Sequence, residues 1–278
     1  MKIPAIIITI CLITQFTFSQ DYLWMGNEYQ TLEKVNTIEP PQGFTRLETT
    51  AGSFSEWLRG LPLKPTGTPV RYHDGSEKYN QSAHFRVLEI DVGEQDLQQC
   101  ADAVIRLRAE YLYSTDRKDQ IHFNFVSGHN VKYLDWINGR QPIIYGDKLQ
   151  FVRWSDRPVI PDTYHEFRWK YLEKIYMFAG TESLQHELKP VAKPSDINIG
   201  DVFIEGSGHA VIVLDLAIND SNEKVFIIAQ SYMPAQDTHI LLNPDDADLS
   251  PWYRAQDNGT GTITTPEWSF SWTMLKRF

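Results

Sequence analysis

Between positions 96 and 114 the apolar residues Cys100, Ala103, Val104, Leu107 and Tyr111 recur on one helical face, while Arg106 and Glu110 fall elsewhere. The pattern predicts an amphipathic core helix running from Asp96, as its cap, to Ser114. A second long helix is predicted from about Asp162 to Leu188, burying Phe167, Tyr171, Ile175 and Phe178, with Gly180 kinking it or splitting it in two. From Ile197 onward the pattern shortens into strands at Asp201 to Glu205, His209 to Leu216, Lys224 to Ser231 and Thr262 to Thr264. Asn219-Asp220-Ser221-Asn222 joins the second and third of these as a hairpin. The stretch from Asp21 to about Gly93 reads as irregular, apart from a short helix capped by Ser53 and ending at Gly60 and a strand from Phe85 to Val92. Ile121 to Val126 also alternates as a strand. Helices first and antiparallel strands later make an α+β fold. It is expected as a single domain over 20–278, with an N-terminal lobe at 20–93 and a core at 94–278.

The first 19 residues change the picture of where the chain works. Lys2, an apolar run from Ile3 to Ile13, and the small residues Thr17 and Ser19 together read as a cleavable secretory signal. Cys11 lies inside the apolar run, so the pattern of a lipid anchor is missing, and the run is short for a membrane span. A secreted or periplasmic protein with no membrane anchor is expected. Cleavage would remove Cys11 and leave Cys100 without an intramolecular partner, so disulfides are not expected to hold the fold. The formal net charge of −10 argues against nucleic acid as a partner. Eight Trp, 13 Tyr and 14 Phe could line a groove for sugar or peptide, although most aromatics fill cores.

The stretch Gly208-His209-Ala210-Val211-Ile212-Val213-Leu214-Asp215 sets one imidazole at the mouth of an apolar strand just after a glycine-rich turn. Cys100 lies far upstream, and a Cys-then-His order suits a hydrolase whose partners meet in space. The first turn of a helix favours thiolate through its free N–H groups, and Gln98 or Gln99 beside the Cys100 amide could complete an oxyanion hole. The plainer alternatives are a core cysteine and a histidine that closes the Gly206-Ser207-Gly208 turn. A third group should orient the ring. If the hairpin loop has an even residue count, Val211 pairs with Gln230, which then lies diagonal to His209 on the same face. Asp215 shares that face but sits too far along the strand. Neither the histidine spacing nor the cysteines suggest a metal site, and no nucleotide-binding glycine loop or G-x-S-x-G elbow is present, so no cofactor is expected. Glu267 and the pair Asp245-Asp246 leave a carboxylate glycosidase open as a weaker possibility. Arg106 and Arg108 read as solvated or ion-paired helix charges more readily than as contacts for a substrate carboxylate.

Several segments carry a resemblance: Leu97-Gln98-Gln99-Cys100-Ala101-Asp102-Ala103, Gly200-Asp201-Val202-Phe203-Ile204, Gly208-His209-Ala210-Val211, Ala229-Gln230-Ser231-Tyr232-Met233-Pro234 and Pro266-Glu267-Trp268. Together they resemble the exported bacterial family called domain of unknown function 4846, which implies an envelope protein and no established activity. More distantly, Gln99-Cys100 opening a helix, Gly208-His209 opening a strand and a polar residue on the next strand look like the papain-like Cys-His amidases and peptidases of the NlpC/P60 and CHAP kind. That likeness implies a helix carrying Cys before an antiparallel sheet carrying His, and cleavage of amide bonds in cell-wall peptides. The chain departs from it at the third position, where it offers Gln230. The expectation is therefore an exported hydrolase in which Cys100 attacks, His209 moves the proton and Gln230 aligns the ring, acting on an envelope peptide. The alternative is a non-catalytic envelope module that binds glycan or peptide.

Overall fold

The computed structural model describes residues 22–26, 28–145, 148–153, 160–255 and 261–278. The expected leader at 1–19 lies outside the described residues. The protein is an α+β fold built on a large antiparallel sheet. Its strands are β1 (Thr45–Arg46), β2 (His84–Val87), β3 (Lys189–Pro190), β4 (Val202–Ile204), β5 (Ala210–Ile218), β6 (Lys224–Gln230), β7 (His239–Leu241), β8 (Tyr253–Arg254) and β9 (Leu275–Arg277). The order is β2-β7-β6-β5-β4-β9-β3, with β1 on β5 and β8 on β6. A separate hairpin of Thr262–Thr264 with Ser269–Ser271 lays Phe270 and Trp272 against Phe203 of β4.

Helix α1 (Phe54–Arg59) starts where Ser53 caps it by accepting the Glu56 amide, and ends at Gly60 as the pattern predicts. Helix α2 spans Cys100–Ser114 and packs on β5 and β6. Its start differs from the expectation: Gln99 is the cap residue, and the Asp102 carboxylate reaches back to the Gln99 amide. Asp96 instead accepts the Ala235 amide and the Gln99 side chain, pinning two loops together. Nor is α2 amphipathic in the expected sense. Arg106 and Glu110 are buried and ion-paired at 2.6 Å, with Asp91 3.0 Å from the same guanidinium. Pairing offsets part of the desolvation cost that would otherwise keep these charges at the surface. The second long helix is continuous over 164–178, with a π-helical middle at Phe167–Leu172. It stops at Ala179, and a separate helix Thr181–Glu187 follows Gly180, so the chain splits there.

The β5–β6 hairpin decides which side chains meet. Asn219 and Glu223 pair across three residues, so the loop count is odd, not even. Asn222, with φ of 63°, takes the left-handed turn position. The odd loop sets Ile227 opposite Asp215, but a β-bulge then inserts Leu214, so that Ile228 faces Val213 and Ala229 faces Ile212. Continuing that register puts Gln230 opposite Val211, the pairing that an even loop would have given. The bulge also turns Asp215 away from the face of His209. Asp215 is fully buried and pairs with Arg46 of β1 at 2.7 Å and Arg59 of α1 at 2.6 Å. Replacing it leaves two cations in a poorly solvated site. We expect Asp215→Ala to cost about 3–5 kcal/mol in urea unfolding, against little change for an exposed acid such as Asp220.

Candidate functional site

Strands β4 and β5 are joined by the tight turn Glu205-Gly206-Ser207-Gly208, closed by backbone hydrogen bonds from the Gly208 amide to the Glu205 carbonyl and from the Glu205 amide to the His209 carbonyl. The His209 ring is therefore free of the turn-closing role. Gly208 gives these side chains room: a Cβ there would lie 3.1 Å from the Trp268 ring and 3.0 Å from the Glu205 carboxylate, so one of them would have to give by a few tenths of an ångström. Its absence lets Trp268 donate to Glu205 beside the imidazole, with the Trp268 and His209 rings 5.7 Å apart. Phe270 stacks on His209 and Tyr232 sits 4.8 Å from it, so the ring is enclosed on an aromatic bed.

His209 Nε2 lies 2.8 Å from Gln230 Oε1. The Gln230 amide nitrogen in turn lies 2.7 Å from Glu267 Oε2 and 3.3 Å from His239 Nε2. Since a carboxylate only accepts, the nitrogen of Gln230 must face Glu267, and its oxygen must accept from His209. His209 then carries its proton on Nε2 and its lone pair on Nδ1. His239 donates from Nδ1 to the Asp237 carbonyl, which leaves its Nε2 to accept from Gln230. Glu267 also accepts from Lys78 at 2.5 Å and from Asn80 at 3.2 Å. Burial pushes the His209 pKa down to about 4, against the upward pull of the Gln230 hydrogen bond and of Glu267. His239 is also lowered well below its ordinary value, first by burial and then by Lys78.

Cys100 opens α2 with its sulfur against the backbone amides of Ala101 and of Ala210, the residue after His209. The tertiary fold thus brings the lone cysteine of the described residues to the mouth of β5. The helix start does not make it a thiolate. Burial, followed by the nearby Asp102 carboxylate, pushes its pKa up to about 11, more than the amides beside it offset. Among the described residues no hydrogen bond joins the Cys100 sulfur to His209. At neutral pH the two are a thiol and a neutral imidazole.

The side chains proposed for the oxyanion site are engaged elsewhere. Gln98 accepts from Arg106, and Gln99 donates to Asp96. The amides at the start of α2 are the groups that remain near the sulfur. Arg106 belongs to the buried ion-pair network, and Arg108 lies over the rings of Phe54, Tyr111 and Phe278. Glu267 is bound to a lysine and two amides, while Asp245 and Asp246 line a different hollow with Tyr253 and Trp272, so nothing sets Glu267 beside them as the pair of acids that the weaker glycosidase possibility needs. Sequence reasoning missed Lys78 and His239. Lys78 sits in the irregular lobe, where no periodicity marks it. His239 directly precedes the short apolar run Ile240-Leu241-Leu242, which could have indicated a strand but not its pairing with Gln230.

Two outcomes follow from these environments. Iodoacetamide should alkylate Cys100 slowly at pH 7.5 and faster as pH climbs toward about 11; a rate at pH 7.5 matching a free exposed thiol would contradict the burial. Because His209 is lowered from 6.5 to about 4, the unfolded chain binds its proton first on acidification. The stability it contributes is full above about pH 6.5 and declines toward pH 4, by at most about 3 kcal/mol for this ring, with His239 adding in the same direction. Urea unfolding at pH 7 and pH 5 checks the sign, and His209→Gln should flatten the slope.

No curated protein matches the chain, and no solved structure matches it. Residues 35–277, which include Cys100, His209, Gln230 and Glu267, match the family described as Domain of unknown function (4846), and the chain belongs to that family.

Proposed function

We propose that the protein is an exported cysteine amidase or peptidase with a papain-like core, acting on peptides of the cell envelope. The observation that carries this reading is the 2.8 Å hydrogen bond from His209 Nε2 to Gln230 Oε1, with Cys100 against the Ala210 amide next in the chain. That bond leaves Nδ1 as the proton acceptor, the tautomer a general base needs. In the proposed reaction Nδ1 takes the thiol proton as Cys100 sulfur bonds to the substrate carbonyl carbon. The C–N bond then breaks and the leaving amine takes the proton from His209. Water, deprotonated by the same ring, hydrolyses the thioester and restores the thiol. The amides opening α2 supply the donors for the oxyanion. With Cys100 pushed up to about 11 and His209 down to about 4, the resting pair is neutral, and the proton moves during attack against both shifts. The export pattern in residues 1–19 supports the periplasm or the exterior as the place of action.

The burial of Cys100, which is only 6% exposed, favours a second reading, a non-catalytic module that binds envelope glycan or peptide. Release of free amines from purified peptidoglycan peptides separates the two. The hydrolase reading expects turnover that Cys100→Ala abolishes and that His209→Ala lowers by about 10²–10⁴-fold, with unchanged circular dichroism. Binding without amine release would establish the module instead, and release that survives Cys100→Ala would remove Cys100 as the nucleophile.

A further inference from the structure

We propose that Glu267, held by Lys78, is the positioning residue that fixes the Gln230 amide and, through it, the proton-bearing nitrogen of His209. A glutamine alone is an ambiguous partner for an imidazole. Its two ends differ only in whether they donate or accept, and a flip of the amide would ask His209 Nε2 to accept and so move the proton to Nδ1. A proton there would take away the lone pair that a base requires. The flip is blocked by chemistry on the far side of the amide. Glu267 Oε2 lies 2.7 Å from the Gln230 nitrogen, and a flipped amide would set oxygen against carboxylate. His239 Nε2, an acceptor because its Nδ1 donates to the Asp237 carbonyl, opposes the flip from a second direction. Lys78, 4% exposed, fixes Glu267 from 2.5 Å, and Asn80 holds the other carboxylate oxygen.

The arrangement also gives the third position a charge. An amide stabilises an imidazolium less than a carboxylate does, but here a carboxylate accepts from that amide and polarises its oxygen toward His209. The catalytic meaning of Glu267 rests on the amidase reading, whereas its effect on the His209 tautomer does not.

The test uses the folded protein carrying ¹⁵N-histidine, in which long-range ¹H–¹⁵N spectra report which ring nitrogen of His209 bears the proton. Wild type is expected to show the Nε2–H form alone at pH 7. Glu267→Met, which removes the acceptor, or Glu267→Met combined with Lys78→Met where the single change leaves a buried lysine that unfolds the chain, should bring in the Nδ1–H form. On the amidase reading Cys100 alkylation also slows in the same variants, and Glu267→Asp, which keeps the carboxylate, should keep much of the wild-type tautomer pattern. A wild-type ring protonated on Nδ1, or a single Nε2–H form in both the single and the double variant, would overturn the inference. A tautomer change in variants whose Cys100 alkylation is also indifferent to His209→Ala would uphold the positioning role and sink the amidase reading.

Discussion

The single residue Leu214 governs the geometry on which the rest depends. Side chains alternate along a strand with a period of two, so one inserted residue exchanges the faces of everything beyond it. In β5 that insertion sends His209, Val211 and Gln230's partner position to one face and Asp215 to the other. One face then carries the imidazole, the glutamine and Glu267. The other locks the N-terminal lobe to the sheet through Arg46 and Arg59. Without the bulge the odd loop would set Gln230 out of register with Val211, and a buried carboxylate would face the aromatic bed around His209.

A second constraint is the amount of buried polarity. Arg106, Arg168, Glu110 and Asp91 form one network behind α2, joined by Gln98 and Tyr164. Such groups are costly to desolvate and hold their place only when paired on several sides. They fix the start of α2, and with it the position of Cys100, against the sheet. The same burial that fixes the sulfur keeps it protonated, so positional order and chemical activation pull in opposite directions here.

Much of the local structure was legible in the chain. The Ser53 cap, the break at Gly180 and the strands around 202–204, 210–218 and 224–230 follow from capping chemistry and apolar periodicity, which act within a few residues. The loop rule alone brings His209 to Gln230 only with an even count; the loop is odd, and it is the bulge, which the sequence does not mark, that restores the pairing. The start of α2 was misplaced because Asp96 is a good cap in isolation, yet the Ala235 amide, 139 residues away in sequence, claims its carboxylate.

What the sequence by itself determined is the type of its strongly periodic elements, the α+β class and the residue types able to do acyl chemistry; short strands such as His239–Leu241 and Leu275–Arg277 carried too little periodicity to be read. Only the tertiary structure decided their states. It brought Lys78, Gln230, His239 and Glu267 into one hydrogen-bonded chain, buried Arg106 and Glu110 as a pair, and made Cys100 a thiol and His209 a neutral ring. The reason is the range of the forces. Capping and periodic burial are read over one turn or one strand, whereas desolvation and hydrogen-bond partnership depend on which distant segments exclude water from the same point.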